Sequence, residues 1–331
     1  MDNLTHSLVG ALLGQAGLKK KTGLAMPALI IGANLPDVDA ACFFWLEGQE
    51  HLGFRRGITH GPPALVLLPL ILAGLLWGFD RWQQSRGKRP VGRLPVSFRW
   101  LFALSFIGCL THPALDWLNV YGIRLLEPFS SRWFYGDTLF IIDVWLWALM
   151  GFATWFSLRR EKRGGEWVKP ARAALAVALA YIGINGAISQ AAVNANTELT
   201  EIAGVEAIAS PLPVAFWQRE VIFHVPGADP EFANPSTSFW SLGSGLGPRN
   251  LLPEQKLVLI EQANQQPPSA ATIAQADPQV RAFLFWSRVP FTDCSEDGSV
   301  LLRDARFYDP LARDRFTVAL PDMKCQELPA D

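Results

Sequence analysis

Four stretches of this chain, residues 60–79, 99–118, 139–158 and 173–193, stay apolar for about 20 consecutive positions, the helical length that crosses a hydrocarbon core of roughly 30 Å. Backbone amides find no water at that depth, so segments of this kind close their hydrogen bonds internally as helices. Two shorter apolar segments come first, residues 4–18 and 22–46, the second interrupted by Asn34-Leu35-Pro36-Asp37-Val38-Asp39. Each reads as a short span or a re-entrant piece. The expectation is an α-helical membrane bundle of about six membrane segments over residues 1–195.

Charge separates this region from the rest. Residues 1–196 carry 19 Lys+Arg against 12 Asp+Glu, and residues 197–331 carry 10 against 18, so the formal net charge of −1 is a cancellation. Half of the residues are hydrophobic and only four are cysteine, which disfavours a nucleic-acid binder, a disordered chain and a disulfide scaffold. Three basic clusters stand between the apolar stretches: Lys19-Lys20-Lys21, the 81–99 loop and the 159–172 loop. Lys and Arg in short loops stay on the cytoplasmic side. Six crossings with an external N-terminus satisfy all three clusters and put residues 196–331 outside the cytoplasm. Met1–Leu18 has no basic n-region, so no cleavable signal peptide is expected.

From residue 197 onward short β-rich runs alternate with Pro, Gly and Asp. Residues 220–225, 282–288, 299–307 and 315–320 read as strands and 252–264 as a helix. The expectation for 196–331 is a C-terminal soluble domain of mixed but mainly antiparallel β structure. His224 reads as a packed strand histidine. A disulfide between Cys294 and Cys325 is open in an oxidising compartment, whereas Cys42 and Cys109 read as small packing residues.

Ionisable groups within apolar spans are rare and costly, so each is a functional candidate. Here they are His6, Asp37, Asp39, His60, His112, Asp116 and Asp143. His112 and Asp116 are four apart and share a helix face. At 1.5 Å per residue from the nearest basic cluster, His6, Asp37, His112, Asp116 and Asp143 lie about 20–26 Å along their segments and His60 roughly 31 Å. That places most of the set in one layer toward the outer leaflet. Imidazole nitrogens with carboxylates suit a divalent ion, zinc first, with manganese or iron as the other choices. Taken singly, Asp37 also reads as a helix cap after Pro36, and Asp143 as a buried hydrogen-bond partner.

MDNLTHSLVG at the start, NLPDVD at 34–39, RRGITHG at 55–61, HPALDWLNVYG at 112–122 and GDTLFIIDVW at 136–145 together resemble the YdjM-type inner-membrane family, described as metal-dependent hydrolases and as LexA-binding. The resemblance covers roughly residues 1–195. The later β-rich segment resembles the C-terminal extension of longer members. It implies a hydrolase in the bacterial inner membrane with a divalent metal. The order His6, Asp37, His60, His112, Asp116 is also similar in spacing to the helical zinc-dependent phospholipase C and P1-nuclease group, which implies phosphoester cleavage. Two departures stand out: Arg55 replaces the family's His before Arg-Gly, and Gly61 replaces its Ser after Thr-His.

The reading that follows has His6, Asp37, His60, His112 and Asp116 as metal ligands, Asp39 as general base and Asp143 as a further ligand or acceptor. Arg55 and Arg56 attract an anionic head group, or else anchor on lipid phosphate. Outer-leaflet depth favours a membrane lipid or lipid-linked substrate. Two rivals stay open. A transporter also carries intramembrane Asp and His, but predicts polar residues in both leaflets and inverted repeats. A non-enzymatic interaction protein with a structural metal has an unspecified protein partner.

Overall fold

The computed structural model describes residues 1–196, 204–226, 236–242, 245–247, 259–262, 277–295, 297–308 and 313–326. The chain forms two compact units, Met1–Ala40 with Arg56–Ala187 and Leu212–Phe216, and Ala41–Arg55 with Ile188–Pro211 and Trp217–Asp331. Relative to a cut after residue 195, residues 41–55 and 188–195 fall in the second unit and Leu212–Phe216 in the first.

The first unit is helical. Helix α1 (Asn3–Gln15) is started by Asp2, whose carboxylate accepts from the amides of Leu4 and Thr5 at 2.9 and 3.1 Å, satisfying donors that a helix start leaves open. Its 13 residues make about 20 Å, short of a full span. Helix α2 (Ala25–Asn34) gives way to a 3-10 stretch, Leu35–Phe44, as Pro36 arrives. Proline has no amide to continue the α ladder, and the tighter turn carries Asp37 and Asp39. In the second unit a single helical turn, α3 (His51–Phe54), follows. Back in the first unit come α4 (Pro62–Ser85), α5 (Phe98–Trp117) and α6 (Val144–Lys162). Helix α7 (Val168–Asn194) begins there and ends in the second.

Four stretches are long and apolar enough to cross a membrane: Ala25–Phe44, Pro62–Ser85, Phe98–Trp117 and Val168–Asn194. Among the described residues the structure thus supplies four such candidates where about six segments were expected. The stretch 139–158 departs from expectation for a local reason. Asp143 caps α6, so the helix begins only at Val144 and runs on into Arg159, Arg160 and Lys162. Helix α4 exposes Val66, Leu67, Leu70, Ile71 and Leu75 along its length, a surface suited to lipid rather than water.

Close approach of backbones sets how α1, α2 and α5 pack. A Cβ on Gly10 of α1 would lie 2.7 Å from the Leu29 carbonyl oxygen of α2, and one on Gly108 of α5 only 2.6 Å from the same atom. Gly32 of α2 meets the Ser105 carbonyl of α5 at 2.7 Å in the same sense. Small residues at such contacts are how membrane helices reach van der Waals packing without a hydrophobic driving force. Leu29, Leu101 and Leu104 fill the adjoining core.

At one end of these helices the three basic clusters gather. The Gly23 amide donates to the Pro95 carbonyl, Lys19 pairs with Glu161, Lys21 lies over Trp100 and Arg172 Nε donates to the Ala16 carbonyl. Asp80 near the end of α4 holds both Arg89 and Arg93 of the following loop, at 3.1 and 3.0 Å.

The second unit contains two four-stranded antiparallel sheets. One runs β1 (Glu206–Pro211), β2 (Gln218–His224), β3 (Ser236–Ser241), β4 (Gly245–Gly247) in spatial order. The other is ordered β5 (Leu259–Gln262), β8 (Thr317–Gln326), β7 (Ser299–Asp304), β6 (Pro290–Cys294). The run 282–288 is corrected from strand to helix. Asp277 accepts from the Gln279 amide and Pro278 occupies the first turn of α8 (Pro278–Trp286), a start signal that outweighs the β-rich composition. Residues 259–262, expected as helix, form β5, and the remainder of 252–264 lies outside the described residues.

Ile208, Ile222, Val289, Phe291 and Ala305 form one core cluster of this unit. Burial alone would raise the Asp304 carboxyl. The Arg306 guanidinium, 2.8 Å away, and the Ser287 hydroxyl hold it below 3.8 instead. Cys294 is disulfide-bonded and Cys42 and Cys109 are free thiols. The side chain of Cys325, the partner expected for Cys294, lies outside the described residues.

Candidate metal centre

Five of the polar residues singled out in the apolar segments meet in the first unit, at the end of α2 and α5 away from the basic clusters. His6 comes from α1, Asp37 from the 3-10 stretch after Pro36, His60 from a short 3-10 turn (Ile58–His60), and His112 and Asp116 from α5. His6, His60, His112 and Asp116 are 0% exposed, whereas Asp37 is only partly covered.

Asp116 stands at the centre. Its Oδ1 lies 3.4 Å from His6 Nε2, and its Oδ2 lies 3.6 Å from His60 Nε2 and 3.5 Å from His112 Nε2. Asp37 Oδ1 is 3.7 Å from His112 Nε2. The His6 and His112 rings stack at 3.8 Å. Within these residues, His6, Asp37 and His112, and likewise His60, His112 and Asp116, each offer three donor atoms within 4.8 Å of one another.

The hydrogen bonds around the rings decide which nitrogens are available. His112 Nδ1 sits 2.7 Å from the Ala33 carbonyl, which only accepts. Nδ1 therefore carries the proton and Nε2 presents its lone pair to the cluster. His60 Nδ1 faces the Thr59 hydroxyl at 2.9 Å, with Asp39 Oδ2 at 3.6 Å. The Nε2 atoms of His6, His60 and His112 are all buried without a hydrogen-bond partner. Buried polar atoms are normally satisfied, and three orphans converging on two carboxylates form a donor set that fits a divalent cation. Asp116 is already in contact with positive charge, from the α-amino group of Met1 and from Arg56 Nε at 3.1 Å.

The remaining predicted residues are placed differently. Asp39 is buried and accepts from the Arg56 amide at 2.7 Å and the Thr59 hydroxyl at 3.2 Å. It braces the His60 turn from behind the ring. Asp143 lies outside both donor groups: Oδ1 caps α6 through the amides of Trp145 and Leu146, and Oδ2 accepts from the Tyr181 hydroxyl at 3.0 Å.

Arg55 and Arg56 do not act as a pair. Arg55 belongs to the second unit, over the Phe43 ring. Arg56 is buried with φ at +55°, its guanidinium donating to Asn119 Oδ1 and the Gly122 carbonyl, both at 3.1 Å, and lying 4.3 Å over the Tyr121 ring. It is a clamp on Asp116, not a group facing outward for an anionic head group. Asn119 and Thr59 were not singled out from sequence. Their signal is adjacency, Thr59 beside His60 and Asn119 three residues beyond Asp116. Gly61 also has a structural reason, because a Cβ there would stand 1.8 Å from the Glu127 carbonyl oxygen.

A helical membrane-type unit with a buried histidine–carboxylate cluster is thus the class of protein that fold and site define. The chain belongs to the YdjM inner membrane protein family, which matches residues 1–192 and so takes in every residue of the cluster. No curated protein and no solved structure matches the chain.

Proposed function

We propose that this chain is a membrane-bound metal-dependent hydrolase acting on a phosphoester of a lipid or lipid-linked substrate. The observation that carries the reading is the convergence of three unbonded imidazole Nε2 atoms on Asp116 and Asp37. His60, His112 and Asp116, with His6 and Asp37, would hold the ion. Both donor groups use His112, and its Nδ1 is committed to Ala33, so His112 offers one lone pair and the groups describe one ion position. A divalent ion, zinc first and manganese or iron otherwise, supplies Lewis acidity toward a phosphoryl oxygen and lowers the pKa of water.

The chain's own residues then take distinct parts. Ala33 fixes the His112 tautomer, and Asp39 with Thr59 orients His60, a role proposed beside the general-base assignment for Asp39. Arg56 fixes the Asp116 carboxylate. Asp37, the partly covered member, is where substrate and water would reach the cluster. The convergence of the basic clusters at the other end of the bundle supports a cytoplasmic basic end and an outward-facing site, by the positive-inside preference. On that reading the strand-rich second unit would lie outside the cytoplasm.

Complete burial of His6, His60, His112 and Asp116 favours one rival, a closed structural metal site in a non-enzymatic membrane protein. Both readings are tested on purified full-length protein by metal analysis and by assay against phospholipid phosphodiesters. One ion per chain and turnover, both lost in His112→Ala, support the hydrolase. Metal without turnover supports the structural site. Absence of stoichiometric zinc, manganese or iron overturns both.

A further inference from the structure

A cavity of about 500 Å³ lies at the basic end of the first unit, within the volume range of small-molecule sites. It shares no residue with the His/Asp cluster. His6 lies in the first turns of α1 and Lys19 beyond its end; the nine positions from His6 to Gln15 alone span about 14 Å of helix by the standard rise. The lining is of two kinds. Lys19, Lys20, Trp167 and Glu161 contribute charge and an aromatic face, while Leu24 and Met26 contribute apolar surface.

The two ammonium groups stand 4.2 and 4.7 Å over the Trp167 ring. That arrangement holds two flexible side chains against one rigid face. Lys19 is paired with Glu161, while the charge of Lys20 reaches the Glu166 carboxylate without a close ion pair. The surroundings are positive as well: Lys21 lies over Trp100, and Arg172 approaches Gly17 and donates to the Ala16 carbonyl.

We propose that this cavity binds a phosphate-bearing anion, with the head group of an anionic phospholipid as the source its lining favours. Lys20, and Lys19 shared with Glu161, would meet the phosphate. Leu24 and Met26 would meet the glycerol and first acyl carbons, a contact that free phosphate has no means of making. Lys and Trp together mark the level of the lipid head groups, and basic recesses between membrane helices suit anionic head groups there.

The test titrates full-length protein in neutral detergent with phosphatidylglycerol, phosphatidylcholine and inorganic phosphate, counting bound lipid by native mass spectrometry. The expected result is one phosphatidylglycerol retained in preference to phosphatidylcholine, with affinity about 10-fold weaker in Lys19→Ala/Lys20→Ala, as expected for lost direct electrostatic contacts. The charge-matched control Lys162→Ala/Arg163→Ala, outside the lining, should stay within about twofold of wild type, since surface charges away from the contact act weakly. Unchanged circular dichroism and metal content would show that both variants fold.

Equal weakening in both variants would reduce the effect to diffuse surface charge and overturn the site. So would no weakening in either, or binding of neither phosphatidylglycerol nor phosphate. Millimolar phosphate binding that is lost in Lys19→Ala/Lys20→Ala, with no lipid retained, would overturn the lipid source and leave a soluble-phosphate site.

Discussion

The two ends of the helical unit handle charge in opposite ways. At the basic end, cations are exposed or half-buried, and Lys19, Lys20, Lys21, Arg89 and Arg93 lie against partners that an ordinary surface could supply, Trp167, Trp100, Glu161 or Asp80. At the other end, His6, His60, His112 and Asp116 are sealed from solvent, and four ring nitrogens, both of His6 and the Nε2 of His60 and His112, have no hydrogen bond. Solvated charge costs little to keep. Buried polar atoms left unmatched cost about 1–3 kcal/mol each, so keeping four ring nitrogens together calls for a compensating gain, which the proposed metal would supply. The difference teaches where function is to be sought: the proposed metal site lies at the end whose ring nitrogens are unmatched, and not at the end whose charges are solvated.

The largest effect should come from removing the residue that both donor groups share. His112→Ala deletes the only nitrogen common to them, and bound metal should fall from one ion per chain to background by elemental analysis, with hydrolysis lost. Retention of wild-type metal content by this variant would dissolve the contrast between the two ends. Next comes the packing that brings α5 to α2. In Gly108→Val the added Cβ would stand 2.6 Å from the Leu29 carbonyl, backbone that cannot rotate away. Overpacking of this sort costs about 1–3 kcal/mol, read as a lowered thermal midpoint. Metal affinity should fall with it, because Leu29 and Ala33 lie on the same helix.

Asp39→Asn is a subtler change. It keeps the size of a side chain that accepts from the Arg56 amide and the Thr59 hydroxyl and faces His60. Loss of such an outer contact lowers metal affinity by about 10–100-fold, measurable by competition with a chelator while the fold is kept. If Asp39 were instead the general base, metal affinity would hold and turnover alone would collapse. That separation of readouts decides between the two assignments.

The site was more legible in the sequence than the fold around it. Ionisable residues are conspicuous in apolar stretches, and counting helix rise from the basic clusters put most of them in one layer. Five of them do meet. What sequence could not give was direction. Arg55 and Arg56 are neighbours, yet a left-handed backbone at Arg56 sends its guanidinium inward to Asp116, and no pattern of residue types announces a positive φ at arginine. For Asp143 the acceptor alternative is the one seen, with Trp145, Leu146 and Tyr181 as donors; an Asp directly before Val144-Trp145-Leu146 is also a helix-start signal. The same signal, Asp277-Pro278, was available for α8 and was masked by the β-forming run Phe283-Leu284-Phe285-Trp286.

The smallest expected effect lies at the basic end, and it tests whether the two ends are independent. Lys21 is exposed, with its ammonium 5.0 Å over the Trp100 ring. Lys21→Ala removes one surface cation–π contact, worth about 0.5–1 kcal/mol at exposed sites, so the thermal midpoint should move by at most a few degrees. Metal content should not move at all. Trp100 lies in α5, three turns of helix before His112, and α5 is the element that carries both ends. A change in metal affinity on Lys21→Ala would mean that α5 transmits a surface contact into the buried cluster, and the basic end would then tune the site as well as orient it.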